Sequence, residues 1–238
     1  VTVLLVHSGG FTSRQWRKLA DQLAPQHRVL APDLLGYGTA GAWPEGQPFH
    51  FRQDVERLVA MLDEPAHVVG HSYGGLVALH VALARPELVR SLALYEPVAF
   101  GVLDAAERAD VEHLPAYRSE SADAWLSAFV DWWNGDGAWR ALPEDTRAAF
   151  RAVGWKVSQE VASLVADRTD RAAYSAIAAP TLLLGGDRSP LAERRVLEVL
   201  AGALPRARLE VFAGLGHMGP ITHAAQVNAA IAAHISAQ

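Results

Sequence analysis

Residues 68–84 read Val68-Val69-Gly70-His71-Ser72-Tyr73-Gly74-Gly75-Leu76-Val77-Ala78-Leu79-His80-Val81-Ala82-Leu83-Ala84. A short apolar run gives way, across a serine held between glycines, to a segment of helical character. That is a strand, a sharp turn and a helix in immediate succession. Small residues on either side of the turn let strand and helix approach without Cβ clashes, and the turn forces the serine into a strained backbone conformation. The hydroxyl of Ser72 is then exposed at the carboxyl edge of a sheet, facing the positive end of the following helix. A G-x-S-x-G match is weak on its own, so the rest of the chain has to supply what a nucleophilic serine needs.

The same alternation continues outward. Apolar runs at residues 1–6, 29–31, 67–70, 91–95, 181–184 and 209–212 read as buried strands, and residues 13–23, 51–62, 73–84, 191–200 and 223–235 carry a helical period. Strands alternating with helices predict an α/β fold with a mostly parallel, doubly wound sheet covered on both faces. Residues 98–179 interrupt the rhythm and hold no convincing strand, so they read as an inserted helical cap, with helices over 105–114, 122–133, 143–153 and 156–167 separated by Gly135, Gly137 and Gly154. The core is thus expected to comprise residues 1–97 and 180–238. Trp125, Trp132, Trp133, Trp139 and Trp155 all fall in the insertion; most are expected to build its core, and one or two to wall a cleft.

The bulk composition excludes several classes of function. A chain of 238 residues with net charge −5 and no long basic run lacks the electrostatic footprint of a nucleic-acid binder. With no cysteine there is no disulfide framework, thiolate nucleophile or Cys-ligated metal. No run reaches the length of a membrane span, and the opening residues lack a signal-peptide pattern, so the cytoplasm is the expected location. The expected partner is a small molecule.

A serine hydroxyl is a poor nucleophile until a base removes its proton. Among ten histidines, His217 in Gly214-Leu215-Gly216-His217-Met218-Gly219-Pro220 follows the last predicted strand in a glycine-rich loop able to reach the same edge. His71 adjoins Ser72 but should point elsewhere, and His7 ends the first strand. His27, His67, His80, His113 and His234 sit where a surface or packed histidine is the ordinary explanation. The base in turn needs a carboxylate to hold its tautomer. Asp187, in Leu184-Gly185-Gly186-Asp187, follows a buried strand; its rival is Glu96, in Leu94-Tyr95-Glu96-Pro97, which otherwise reads as a hinge or ion-pair residue where the insertion begins. Asp187 is the expected acid because it comes from the strand immediately before that of His217. Asp33 is expected to hold the turn after the second strand. Two N–H donors for a developing oxyanion, each worth about 3 to 4 kcal/mol, complete the requirement. Gly9, with Gly10 as second choice, and the amide of Tyr73 are the expected donors.

Taken together, His7-Ser8-Gly9-Gly10 with Trp16, Asp33-x-x-Gly36-x-Gly38, Gly70-His71-Ser72-Tyr73-Gly74-Gly75, Gly185-Gly186-Asp187 and Gly216-His217 resemble the α/β-hydrolase family over nearly the whole chain. The resemblance implies a Ser72, Asp187 and His217 triad in that chain order, a helical cap over the active site, and no metal or organic cofactor. It departs from the family in having His7-Ser8 where His-Gly is usual, and in beginning, at Val1, on the strand usually counted third, so that either the chain is truncated or it resembles the small esterases and lyases that start close to this strand. Serine at the turn argues against the dehalogenase and epoxide hydrolase branches, which place aspartate there. The implied activity is hydrolysis of a small, largely apolar carboxylic ester through an acyl-enzyme. Lactone, thioester or carbon–carbon bond hydrolysis and cofactor-free perhydrolysis use the same triad, and a lyase or a ligand-binding receptor shares the scaffold.

Overall fold

A computed structural model of the chain describes residues 1–238 apart from His113 and Pro115. Six strands form one all-parallel sheet in the order β2-β1-β3-β4-β5-β6. They are β1 (Thr2–Val6), β2 (Arg28–Leu30), β3 (Ala66–His71), β4 (Val89–Tyr95), β5 (Thr181–Gly186) and β6 (Ala207–Phe212). Helices α1 (Arg17–Leu23), α2 (Arg52–Met61) and α3 (Tyr73–Ala84) link the first four strands. The long connection from β4 to β5 carries α4 (Ala105–Arg108), α5 (Ala122–Asn134), α6 (Ala138–Ala141), α7 (Glu144–Ala166) and α8 (Arg171–Tyr174). After β5 come α9 (Leu191–Ala203), β6, α10 (Gly219–Thr222) and α11 (Ala224–Ser236).

Buried parallel strands carry apolar side chains on both faces, and the central strands here divide theirs between two cores. Leu4, Val68, Leu92 and Leu183 pack with α2, α3, α9 and the β4–β5 insertion, whereas Leu5, Val69, Ala93 and Leu182 pack with α1 and α11. Their register is continuous, with Leu5 opposite Val69 and Val69 opposite Ala93. Strand order reverses at β1, whose neighbours are β2 and β3. In open α/β sheets such a switch point opens a crevice at the strands' carboxyl ends, and the loops after β1 and β3 flank it.

Two predicted boundaries in the insertion differ from the structure. Residues 143–153 and 156–167 form one helix, α7, that runs through Gly154. Gly154 is there for packing: a Cβ on it would lie 2.8 Å from the Tyr117 hydroxyl oxygen. The helix expected over 105–114 is confined to Ala105–Arg108, capped by Asp104 and Glu107, and His113 lies outside the described residues. Among the described residues no helix is long and apolar enough to cross a membrane.

Candidate active site

The turn between β3 and α3 is as tight as the residues require. A Cβ on Gly70 would lie 2.5 Å from the Gly74 carbonyl oxygen, and one on Gly74 would lie 2.5 Å from that of Val6, so strand, helix and β1 are in backbone contact. Ser72 takes φ 55° and ψ −121°, a region that only a well-braced non-glycine residue occupies. Its N–H donates to the Tyr95 carbonyl at 2.9 Å, which ties the turn to the end of β4.

Ser72 Oγ lies 2.9 Å from His217 Nε2, and His217 Nδ1 lies 2.7 Å from Glu96 Oε2. The carboxylate in contact with the histidine is therefore Glu96, which corrects the expectation placed on Asp187. Asp187 is exposed, and its Oδ1 accepts the Gly214 N–H at 2.7 Å, so it fastens the start of the histidine loop. The reason lies in strand order and reach: β4 neighbours β3, whereas β5 is one strand further from Ser72, and glutamate is longer by a methylene. Glu96 is fully buried, and its other oxygen accepts from Gly186 N–H (2.8 Å) and Ser189 Oγ (2.6 Å). It too is strained, at φ 46°, and Ser72 and Glu96 are the two non-glycine residues with positive φ among those described.

His217 is held on three further sides. Tyr95 OH donates to the Gly216 carbonyl at 2.8 Å. The Gln15 amide donates to His71 Nδ1 at 3.0 Å, which leaves Nε2–H of His71 to donate to the His217 carbonyl at 2.8 Å. Burial keeps the His71 imidazole far below its ordinary value, so this bracket stays neutral. Trp133 of α5 stacks on the His217 ring, with centroids 3.6 Å apart and planes 17° from parallel.

In the loop after β1, Ser8 N–H donates to Gln15 Oε1 at 3.1 Å and Gly10 N–H to Tyr37 OH at 3.0 Å. Both neighbours of Gly9 are thus committed, and Gly9 itself lines the cavity beside Ser72. Tyr73 opens α3, in the first turn where a helix has spare N–H groups, and its hydroxyl is anchored on Asp54 Oδ2 at 2.7 Å. Asp33 accepts from Ser13 N–H and Thr39 N–H, each at 2.7 Å; burial pushes its carboxyl up, but these bonds outweigh that and bring it down to about 2.

A cavity of about 500 Å³ opens over Ser72 and His217. Its wall is apolar over most of its extent, with Phe100, Trp132, Trp133, Leu142 and Phe150 prominent. Of the five tryptophans in residues 98–179, Trp132 and Trp133 face this space, Trp125 and Trp139 are buried in the helical packing, and Trp155 donates to the Gln47 carbonyl at 3.2 Å. Gln15 and Tyr37 were not singled out from the sequence, since Gln15 reaches His71, and Tyr37 reaches Gly10, across a long stretch of chain. Trp133 was among the tryptophans expected to build the insertion's core or wall a cleft, and its stacking on His217 joins elements distant in sequence.

A sequence profile described as the Alpha/beta hydrolase family matches residues 3–230. A pimeloyl-[acyl-carrier protein] methyl ester esterase of Neisseria meningitidis is 31% identical over 237 residues, covering 93% of this chain and 88% of that protein. Lipase LipV of Mycobacterium tuberculosis is 42% identical over 99 residues, a match confined to 40% of this chain and 36% of that protein. Among solved structures, MenH from S. aureus superposes with a TM-score of 0.78 at 18% identity, over 99% of this chain and 93% of that one, a likeness of fold.

Proposed function

This chain belongs to the alpha/beta hydrolase family, and we propose that it hydrolyses small, largely apolar carboxylic esters with Ser72 as nucleophile, His217 as base and Glu96 as the supporting acid. The observation that carries this reading is the hydrogen-bonded chain Ser72 Oγ, His217 Nε2 and Nδ1, Glu96 Oε2, opening onto an apolar cavity. The esterase name of the Neisseria relative agrees with it.

His217 Nε2 takes the proton of Ser72 Oγ as that oxygen attacks the ester carbonyl. The tetrahedral oxyanion is held by the backbone N–H groups of Gly9 and Tyr73, both of which belong to residues lining the cavity beside Ser72. The proton on Nε2 passes to the departing alkoxide, leaving an acyl-Ser72. Water then gives a proton to His217 and attacks the acyl carbon, and His217 passes that proton to Ser72 Oγ as the acid departs, which restores the free serine. Glu96 stays on Nδ1–H throughout, fixing the tautomer and stabilising the imidazolium in each half-reaction.

The test is a series of 4-nitrophenyl esters of increasing chain length, with a fluorophosphonate probe read in parallel. Wild type should turn over the esters and label rapidly, and Ser72→Ala should do neither, with turnover lower by about a millionfold. Retained turnover in a folded Ser72→Ala protein would overturn the assignment.

A further inference from the structure

Glu160 of α7 is the one acidic residue that lines the cavity among the described residues. The residue is 1% exposed, yet it sits beside the expected oxyanion donor: a Cβ placed on Gly9 would lie 2.5 Å from Glu160 Oε2. The group is rigidly held. Oε1 accepts from Lys156 Nζ at 2.6 Å, and Oε2 accepts from Tyr37 OH at 2.8 Å, the same hydroxyl that receives the Gly10 N–H. Lys156 also lies 3.7 Å from Asp54 Oδ2 and 3.5 Å above the Phe49 ring.

A carboxyl group beside an oxyanion hole is unfavourable for a plain hydrocarbon acyl group. Any negative charge on it repels the charge that develops on the carbonyl oxygen, and an apolar side chain would line the wall without that cost. Strapping α7 to the core does not require the group to face the cavity either, since Lys156, Tyr37 and Asp54 belong to the same network and stand behind the wall. Each carboxyl oxygen accepts one hydrogen bond from the protein, and each has a second lone pair. Glu160 is thus a preorganised polar point on a mostly apolar wall, and a few placed polar groups are the usual way such cavities select their ligands.

We propose that Glu160 is a specificity-determining residue that binds a hydroxyl group on the acyl part of the substrate, one or two carbons from the carbonyl, so that hydroxyacyl esters are preferred over plain acyl esters. This rests on the ester-hydrolase reading of the same site and names its substrate class. Burial pushes the Glu160 carboxyl up to about 7 despite the nearby Lys156 ammonium. A hydroxyl suits both of its protonation states, because it donates to the carboxylate and accepts from the neutral acid.

The experiment compares kcat/KM for the ethyl esters of racemic 2-hydroxybutyrate and 3-hydroxybutyrate with that for ethyl butyrate. It uses wild type, Glu160→Gln, and the double variant Lys156→Met with Glu160→Leu, in which an apolar pair replaces the Lys156–Glu160 ion pair, while Asp54 loses its lysine neighbour but keeps the hydrogen bonds from Leu35 N–H and Tyr73 OH. A hydrogen bond to a charged group predicts a wild-type preference of about tenfold to a hundredfold for at least one hydroxy ester. That ratio should shrink in Glu160→Gln and fall close to one in the double variant, whatever happens to absolute rates. A wild-type ratio near one for both hydroxy esters, or a preference that survives in the folded double variant, overturns the subsite while leaving the esterase reading standing. Absence of wild-type turnover on all three ethyl esters and on the 4-nitrophenyl series overturns both.

Discussion

The ends of β4 and β5 look alike in sequence: each is a buried apolar strand that delivers an acid toward the same edge of the sheet. In the fold they are not equivalent. Glu96 ends fully buried with both oxygens committed, one to His217 and one to Gly186 and Ser189, and with a strained backbone. Asp187 ends exposed, accepting a loop amide. An acid that must stabilise an imidazolium gains most from a dry, fixed position, where each charge–charge interaction is stronger than it is in water. Strand adjacency to β3 gives Glu96 that position, and its longer side chain reaches it.

Removing the charge from Glu96 should have the largest effect on this contrast. Glu96→Gln is expected to lower kcat on a 4-nitrophenyl ester by about ten-thousandfold, through loss of the correct imidazole tautomer. A fall smaller than that of Asp187→Asn would reverse the assignment of the two acids.

Varying pH to compare the two acids also loads the fold, and the loop after β1 sets where. His7 is buried with Nδ1 2.8 Å from the Ser8 carbonyl and Nε2 accepting the Leu34 N–H at 2.9 Å, an arrangement that suits only the neutral ring. Burial lowers its value from 6.5 to about 4. Between those values the unfolded chain binds a proton that the folded chain refuses, so the stabilisation is complete above pH 6.5 and is lost as pH falls toward 4, by at most about 3 kcal/mol. The His7 ring should stay neutral by NMR down to about pH 4 while the urea midpoint falls; a His7 titration at its ordinary value contradicts this.

A smaller effect is expected at Trp133, which braces the His217 ring from the cap side. Trp133→Leu should lower kcat by about two- to tenfold, the worth of an aromatic pair, and Trp133→Phe should restore much of it. Equal losses in both variants, or a change confined to KM, would make Trp133 a wall of the cavity and nothing more. The smallest change is expected from Asp187→Asn. An amide oxygen still accepts the Gly214 N–H, and kcat should remain within about twofold of wild type.

The two acids also show where local reading stops. Ser72 was legible because its strand, turn and helix are consecutive, and small residues at 70, 74 and 75 announce the close approach. His217 was legible because it follows the last strand in a loop of glycines. Glu96 and Asp187 carry equivalent local signals, and strand order, which separates them, depends on how distant segments pair. Gly154 misled for a related reason: it reads as a break locally, but the helix continues through it because Tyr117 needs the space.

From the sequence alone came the alternation of buried strands and helices, the helical insertion, the strained serine turn and the histidine that would serve it. These follow from short-range backbone sterics and from the burial periodicity of single elements. The tertiary structure decided which acid meets His217, that Trp133 covers its ring, and that Glu160 stands beside Gly9. Each of those contacts joins residues from elements far apart in the chain, and their distances are fixed by sheet order and the packing of the β4–β5 insertion over the strand ends, which no local pattern encodes.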